Sequence, residues 1–259
     1  MKRICCLIRP SIVRTLFVKF LFYASLGLIF AAWLNADKLP SGDQISHVLM
    51  SAPSQTGTDK APFSVETGGV RYQVKPLYRY ELNGLVVSRH DAETWWDFIH
   101  REAGDFLNVT DLCVVWGDNL GSGVYRRLSY DSGQFTCFVH WKDQETGALF
   151  KMNALSNNHL LTANPDLAKK IRSVRIGDQI HFRGYLAEYS HNQGFAFKRG
   201  SSTTRDDSGN GACETVFVES FDIVRKASAF WSILHWLGLM GLLAAIVGWF
   251  ALPPHVNPD

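Results

Sequence analysis

Charged residues are scarce in this chain: Asp, Glu, Lys and Arg make up 19% of its 259 residues, against 46% apolar residues. This composition excludes a disordered polymer, which would be poor in apolar residues and rich in charge. A basic excess is also missing beyond the first 19 residues, because residues 20–259 hold 21 basic and 24 acidic groups. Nucleic-acid-binding surfaces usually show such an excess, so the balance disfavours a nucleic-acid partner.

Sequence signatures of enzymes are missing as well. The chain has no P-loop, no Rossmann fingerprint, no GxSxG nucleophile elbow and no HExxH zinc motif. Its five cysteines form no CxxC pair and have no zinc-type spacing to histidine. We therefore expect a non-catalytic protein with no cofactor and no metal.

Few cysteines are available for disulfides, since only three of the five lie between the two terminal apolar runs. Cys113 and Cys137 both fall in strand-like segments, which makes them the favoured pair if this part of the chain is in an oxidising compartment. Buried free thiols that pack as small apolar groups are the alternative.

Two long apolar runs lie near the ends of the chain. Residues 16–35 follow a basic tail at 1–15, and residues 229–252 precede a short tail at 253–259. Each run has the length of a membrane-spanning helix. A cleaved signal peptide is the alternative for the first run.

The second run carries a stripe of small residues, Gly238, Gly241, Ala245 and Gly248. Small residues at this spacing let another helix approach closely, so the stripe predicts contact with the first anchor, a protein partner or a second copy of the chain. The general abundance of Gly and Ala in membrane helices is the competing explanation.

The distribution of basic residues predicts the orientation. The first 19 residues hold five basic groups, Lys2, Arg3, Arg9, Arg14 and Lys19, and positive charge marks the cytoplasmic side. We therefore expect a bacterial-type inner-membrane protein with its amino terminus in the cytoplasm and its main domain outside.

The part between the anchors divides into two regions. Residues 36–69 are rich in Ser, Thr, Gly and Pro and predict a stalk, whereas residues 70–226 contain alternating strand-like segments and predict a mainly β domain. We expect one or two helices. The first follows Ser88 and Asp91 and has an apolar face of Trp95, Ile99, Ala103 and Phe106, and a short second one covers 165–172 after the cap Asn164.

The number of strands favours a small barrel. The segment GDQIHFRGYLAEY at 177–189 has a leading Gly-Asp turn and a glycine in mid-strand. It resembles a strand of oligonucleotide-binding (OB) type barrels, in which such a glycine permits a sharp bend. The resemblance implies a fold and no ligand.

Polar residues concentrate in two places. The segment 198–214 contains Arg205, Asp206, Asn210 and Glu214, which we take as candidates for binding a ligand or partner. The segment LSNNHLL at 155–161 places Asn158 and His159 between apolar flanks, as ligand contacts or as a turn.

Together these features predict a doubly anchored membrane protein whose β-rich domain acts through protein contacts in an envelope assembly. Two alternatives stay open from the sequence. One is a membrane-tethered hydrolase or ligand-binding domain that uses the 198–214 segment, and the other is an OB-like barrel that binds nucleic acid.

Overall fold

The computed structural model describes residues 10–92, 94, 97–194, 196–207 and 213–251. The chain forms two compact units, a helical unit from the two ends of the chain and a sheet domain from Leu39–Ala227. The α-helices of the described residues are α1 Pro10–Leu34, α2 Phe98–Glu102, α3 Asp118–Gly121, α4 Gln144–Leu149, α5 Pro165–Arg172 and α6 Phe230–Phe250. The strands are β1 Ser54–Gly57, β2 Phe63–Thr67, β3 Val70–Asp91, β4 Asn108–Val115, β5 Ser129–Gly133, β6 Thr136–His140, β7 Leu155–Leu161, β8 Gln179–His191, β9 Phe197–Arg199 and β10 Glu214–Arg225.

The helical unit consists of two apolar helices that are long enough to cross a membrane. The apolar stretch of α1 has 22 residues and α6 has 21, so each extends about 30 Å at a rise of 1.5 Å per residue. Large apolar side chains, among them Phe20, Trp236 and Phe250, are exposed on the outside of this unit. Water would not favour such a surface, whereas lipid would.

The two helices pack against each other in antiparallel directions. A Cβ added to Gly238 would meet Ile29 at 2.8 Å, and one added to Gly248, further along α6, would meet Val18 at 3.2 Å, further back along α1. Gly241 leaves room for the Ser25 side chain. The small-residue stripe of α6 therefore faces α1 of the same chain, which is the first of the contacts that its spacing suggested.

The sheet domain is built on one eight-stranded sheet with the order β1-β3-β4-β7-β10-β8-β9, in which β2 also pairs with β3. β3 pairs in addition with β8, so the pairings run from β3 through β4, β7, β10 and β8 and return to β3. Along this path only the pairing of β7 with β10 is parallel. β5 and β6 form a separate hairpin.

Two apolar clusters lie on opposite faces of the central strand β4. Leu112 and Val114 face one cluster together with Leu160 and Val216, whereas Cys113 and Val115 face the other. Successive side chains of β4 thus point to opposite faces of the sheet, as they do in every β-strand. Both faces of β4 are therefore covered.

Two sequence predictions are corrected here. Residues 39–69 are not a stalk: they contain β1 and β2, and Leu49 is fully buried in the sheet domain. The predicted long helix is reduced to α2, which is capped by Asp97, while Ser88 belongs to β3. Ile99 and Phe106 are exposed, so they form no core face. Trp95 lies outside the described residues.

A third correction concerns residues 155–161, for which the sequence favoured a turn. They form β7 in the interior of the sheet, because their polar side chains find buried partners. The helix at 165–172 is confirmed with its cap, since Asn164 Oδ1 accepts from the backbone N–H groups of Asp166 and Leu167. Within the described residues the sheet domain has four short helices, more than expected.

Candidate functional site

Six ionisable or amide side chains form a continuous hydrogen-bonded network inside the sheet domain. They come from the end of β3, from the connection to β4, from β4 and from β7, and none is more than 3% exposed. The members of this histidine–aspartate network are His90, Asp97, His100, Asn108, Asp111 and His159. Such groups are rarely buried without paired partners.

Asp111 and His159 form the centre of the network. They are directly opposite each other on the neighbouring strands β4 and β7, and His159 Nδ1 lies 2.6 Å from Asp111 Oδ1. Arg199 Nη2 donates to His159 Nε2 at 2.8 Å. Because Nε2 accepts, the ring proton is on Nδ1 and His159 is neutral.

The charges of this pair follow from its surroundings. Burial alone raises the pKa of Asp111, but the nearby His159 and the hydrogen bonds from His159 and Asn108 outweigh it and lower the pKa to about 2. Burial lowers the pKa of His159, and Asp111 opposes this only in part. At neutral pH Asp111 is therefore a buried carboxylate beside a neutral imidazole.

Asn108 links this centre to a second carboxylate. Its Nδ2 donates to Asp111 Oδ1 at 2.8 Å and to His100 Nε2 at 3.0 Å. His100 Nδ1 lies 2.6 Å from Asp97 Oδ2, and His90 Nε2 lies 2.7 Å from the same oxygen. Burial raises the pKa of Asp97, but the contacts with His90 and His100 have the larger combined effect and lower it.

The hairpin of β5 and β6 covers the network. Its turn residue Phe135 has a φ of 67°, and its ring centroid lies 4.1 Å from that of His100. The Arg199 guanidinium carbon lies 4.0 Å from the Phe135 ring centroid, a cation–π contact. A disulfide joins Cys137 of the hairpin to Cys113 of β4, with Cα atoms 5.8 Å apart. This is the pair that the sequence favoured.

A second buried group lies on the other face of β7 and β10. Asn158 Nδ2 donates to Ser156 Oγ at 2.8 Å, and Glu214 is opposite Asn158 in the strand register. Burial raises the pKa of Glu214 to about 8, although its backbone hydrogen bond and the charge of Arg205 act in the opposite direction. Burial, followed by the charge of Glu214, raises the pKa of Tyr80 well above its ordinary value.

The candidate residues from the sequence therefore do not form one site. His159 belongs to the histidine–aspartate network, whereas Glu214 and Asn158 lie in the second buried group. Arg205 is half-buried, donates from Nη2 to the Pro53 carbonyl at 3.0 Å and acts electrostatically on Glu214. Asp206 is exposed, and Asn210 lies outside the described residues.

The sequence matches no protein-family model, and comparisons with curated proteins and with solved structures returned no match.

Sequence reasoning missed most of the network, although a signal for it existed. Asp111 lies within the strand NVTDLCVV, whose other residues are mostly apolar or uncharged. A carboxylate in a strand that is covered on both faces requires a buried partner, and His159 in the equally covered LSNNHLL supplies it. The helix predicted from the sequence would turn Asp97 mostly to solvent, but Asp97 is buried.

Glu214→Gln is expected to stabilise the protein in a pH-dependent way. The folded pKa of about 8 exceeds the unfolded value near 4.5, so the wild type loses stability as pH rises between these values. The variant should gain roughly 1 to 3 kcal/mol at pH 8 and almost nothing at pH 4. Urea unfolding of the full chain in detergent measures both. Glu219→Gln, on an exposed position of the same strand, is the control, and an equal gain at both pH values would contradict the assignment.

Proposed function

We propose that this protein is a doubly anchored membrane protein that presents its sheet domain outside the cytoplasm and acts, without catalysis, through protein contacts in an envelope assembly. The antiparallel packing of α1 and α6 carries this proposal. If both helices span a membrane, antiparallel packing puts the end of α1 and the start of α6, which bound the sheet domain in the sequence, on the same side of that membrane.

Two observations support the orientation. The five basic residues among the first 19 favour a cytoplasmic amino terminus. The Cys113–Cys137 disulfide fits an oxidising compartment, because disulfides seldom persist in the cytosol. We therefore place the sheet domain in the periplasm of a bacterial-type envelope.

We further propose that the sheet domain is a closed OB-type barrel of five strands. The cycle of pairings through β3, β4, β7, β10 and β8 supports this, as does the position of α5 in the sequence between β7 and β8, which are third and fourth of these strands in chain order. Such barrels have many unrelated functions, so the fold identifies no ligand.

The exposed tip of the 198–207 segment is the proposed contact for a protein partner. Ser202 N donates to the Cys213 carbonyl at 2.9 Å, and Ser202 Oγ donates to Asp207 Oδ2 at 2.7 Å, so the base of the segment is fixed. Arg205 holds it to Pro53, while Thr204 and Asp206 face solvent. A rigid support with exposed polar side chains is suited to recognition.

Reporter fusions test the orientation. A reporter that is active only outside the cytoplasm should be active when fused near residue 60 and silent when fused after residue 259. The reverse pattern would reject the proposed topology. Release of the amino-terminal segment as a small fragment would identify a cleaved signal peptide.

Photocrosslinking tests the partner contact. A photoreactive amino acid at Asp206 should give a discrete crosslinked product in intact cells, while the same group at Asp166, exposed at the start of α5, should not. Asp206→Ala should remove partner recovery and leave the melting temperature unchanged. Equal crosslinking at both positions, or full recovery with Asp206→Ala, would exclude the 198–207 segment as the contact.

The hydrolase and nucleic-acid alternatives have less support. A hydrolase in this segment would use Arg205 and Glu214, but Glu214 is buried and the half-buried Arg205 donates to the Pro53 carbonyl. The acidic balance of residues 20–259 offers little attraction for nucleic acid. Both remain open to direct assay of the purified chain.

A further inference from the structure

We propose that His90, Asp97 and His100 bind one zinc ion inside the sheet domain. Each residue offers one ligand atom, and these atoms all lie within 4.8 Å of one another. The three side chains are buried, with at most 3% of each residue exposed. The proposal does not depend on the function proposed above.

The donor set is one that zinc uses. Two imidazole nitrogens and one carboxylate oxygen, with a fourth position for water, make a tetrahedral site with three protein ligands. His90 Nε2 and His100 Nδ1 lie 2.7 and 2.6 Å from Asp97 Oδ2 in the hydrogen-bonded arrangement. Ligands at zinc bond lengths are about 3.3 Å apart, so the metal replaces the shared protons after side-chain shifts below about 1 Å.

The backbone holds the three ligands from two directions. His90 lies near the end of β3, whereas Asp97 and His100 occupy the cap and first turn of α2. The second carboxylate oxygen of Asp97, Oδ1, accepts from the His100 backbone N–H at 3.1 Å and from Gln134 Nε2 at 3.2 Å. These bonds fix the carboxylate and direct Oδ2 to the two imidazoles.

A second carboxylate is placed to support the metal-bound form of His100. When Nδ1 binds a metal, Nε2 carries the ring proton and needs an acceptor. Asp105 Oδ2 lies 3.9 Å from His100 Nε2, and Asp105 Oδ1 has no hydrogen-bond donor among the described residues. A small rotation of the ring from Asn108 to Asp105 makes the carboxylate–histidine–zinc arrangement of many zinc sites.

Charge also favours a cation here. The network contains the buried carboxylates of Asp97 and Asp111, and the Arg199 guanidinium donates to His159 beside Asp111. Buried charge is costly unless it is compensated. A divalent ion between Asp97 and the two imidazoles would compensate the charge of the Asp97 carboxylate.

Metal binding by the full chain in detergent tests the proposal. After removal of metal with a chelator, the wild type should take up one equivalent of Zn²⁺, measured by elemental analysis after dialysis. Co²⁺ should give the visible absorption of a tetrahedral site without a thiolate band. The proton NMR spectrum of the cobalt-loaded protein should show two shifted imidazole N–H signals, one for each bound histidine. This readout needs no variant.

Conservative variants locate the site. His90→Gln and His100→Asn keep a hydrogen-bond donor near the position of the ligand nitrogen, so the fold has a replacement contact. Each should weaken zinc binding at least 100-fold. His181→Gln is the control, because His181 contacts Glu81 in a separate, more exposed pair, and it should bind zinc as the wild type does.

Several results would overturn the proposal. The first is that the folded wild type takes up no stoichiometric zinc or cobalt. The second is that His90→Gln and His100→Asn bind zinc as tightly as the wild type, and the third is that the cobalt-loaded wild type shows no shifted imidazole signals. Should either variant fail to fold, the cobalt spectrum of the wild type decides alone.

Discussion

Gly184→Ala should unfold or severely weaken the sheet domain, with a loss of about 3 kcal/mol or more. Gly184 lies in β8 opposite Val218, next to a register shift in β10. A Cβ there would lie 2.0 Å from the Phe217 carbonyl oxygen and 2.9 Å from its carbonyl carbon. Backbone atoms cannot move aside as a flexible side chain does, so the two strands would have to separate.

Urea unfolding of the full chain in detergent measures this loss. Gly57→Ala is the matched control, because Gly57 also lies in a strand and a Cβ there meets nothing within 4 Å. The control should leave stability within about 0.5 kcal/mol of the wild type. Similar losses in the two variants would show that the close approach at Gly184 is not what requires glycine.

Asp111→Ala should cost about 3 to 5 kcal/mol, the loss expected when one partner of a buried charge network is removed. The change leaves the His159 Nδ1–H without its acceptor and removes one of the two acceptors of the Asn108 amide. It also removes the negative charge nearest to the Arg199–His159 contact.

The pH dependence of this difference identifies its origin. The pKa of Asp111 is lowered in the folded state to about 2, so its stabilisation is complete above the unfolded value near 3.8 and is lost as pH falls toward 2. The gap between wild type and Asp111→Ala should be constant from pH 5 to 7 and shrink below about pH 4. Asp222→Ala is the control, because Asp222 forms an exposed pair with Lys170 and should cost less than about 1 kcal/mol. A gap that widens in acid would contradict the assignment.

Much of the strand layout could be predicted from the sequence because alternation is a local signal. The segments around 78–88 and 214–224 alternate apolar and polar residues and correspond to β3 and β10. The mid-strand glycine in 177–189 predicted a bend, and in the structure Gly184 lies where two backbones approach closely. Asn164 and Pro165 indicated the start of α5, because helix capping is also a local signal that depends on a few neighbouring residues.

The candidate site could not be predicted, because its members are joined only by tertiary contacts. Asp111 and His159 are 48 positions apart, and their pairing depends on the register of β4 and β7. Ile99 and Phe106 misled the helix assignment, since helical spacing does not show which face the fold covers. The polar composition pointed to the 198–214 segment, but Arg205 and Ser202 there make hydrogen bonds that hold the segment in place.

The half-buried Cys213 bears on how the chain matures. Its Sγ lies 3.5 Å from the Phe135 carbonyl oxygen, two residues before Cys137 of the disulfide. Disulfide exchange requires a thiolate, and burial raises the pKa of Cys213. The folded domain thus keeps its free thiol protonated, which slows attack of this thiol on the Cys113–Cys137 bond once folding is complete. Wrong cysteine pairings would therefore form before folding covers this thiol.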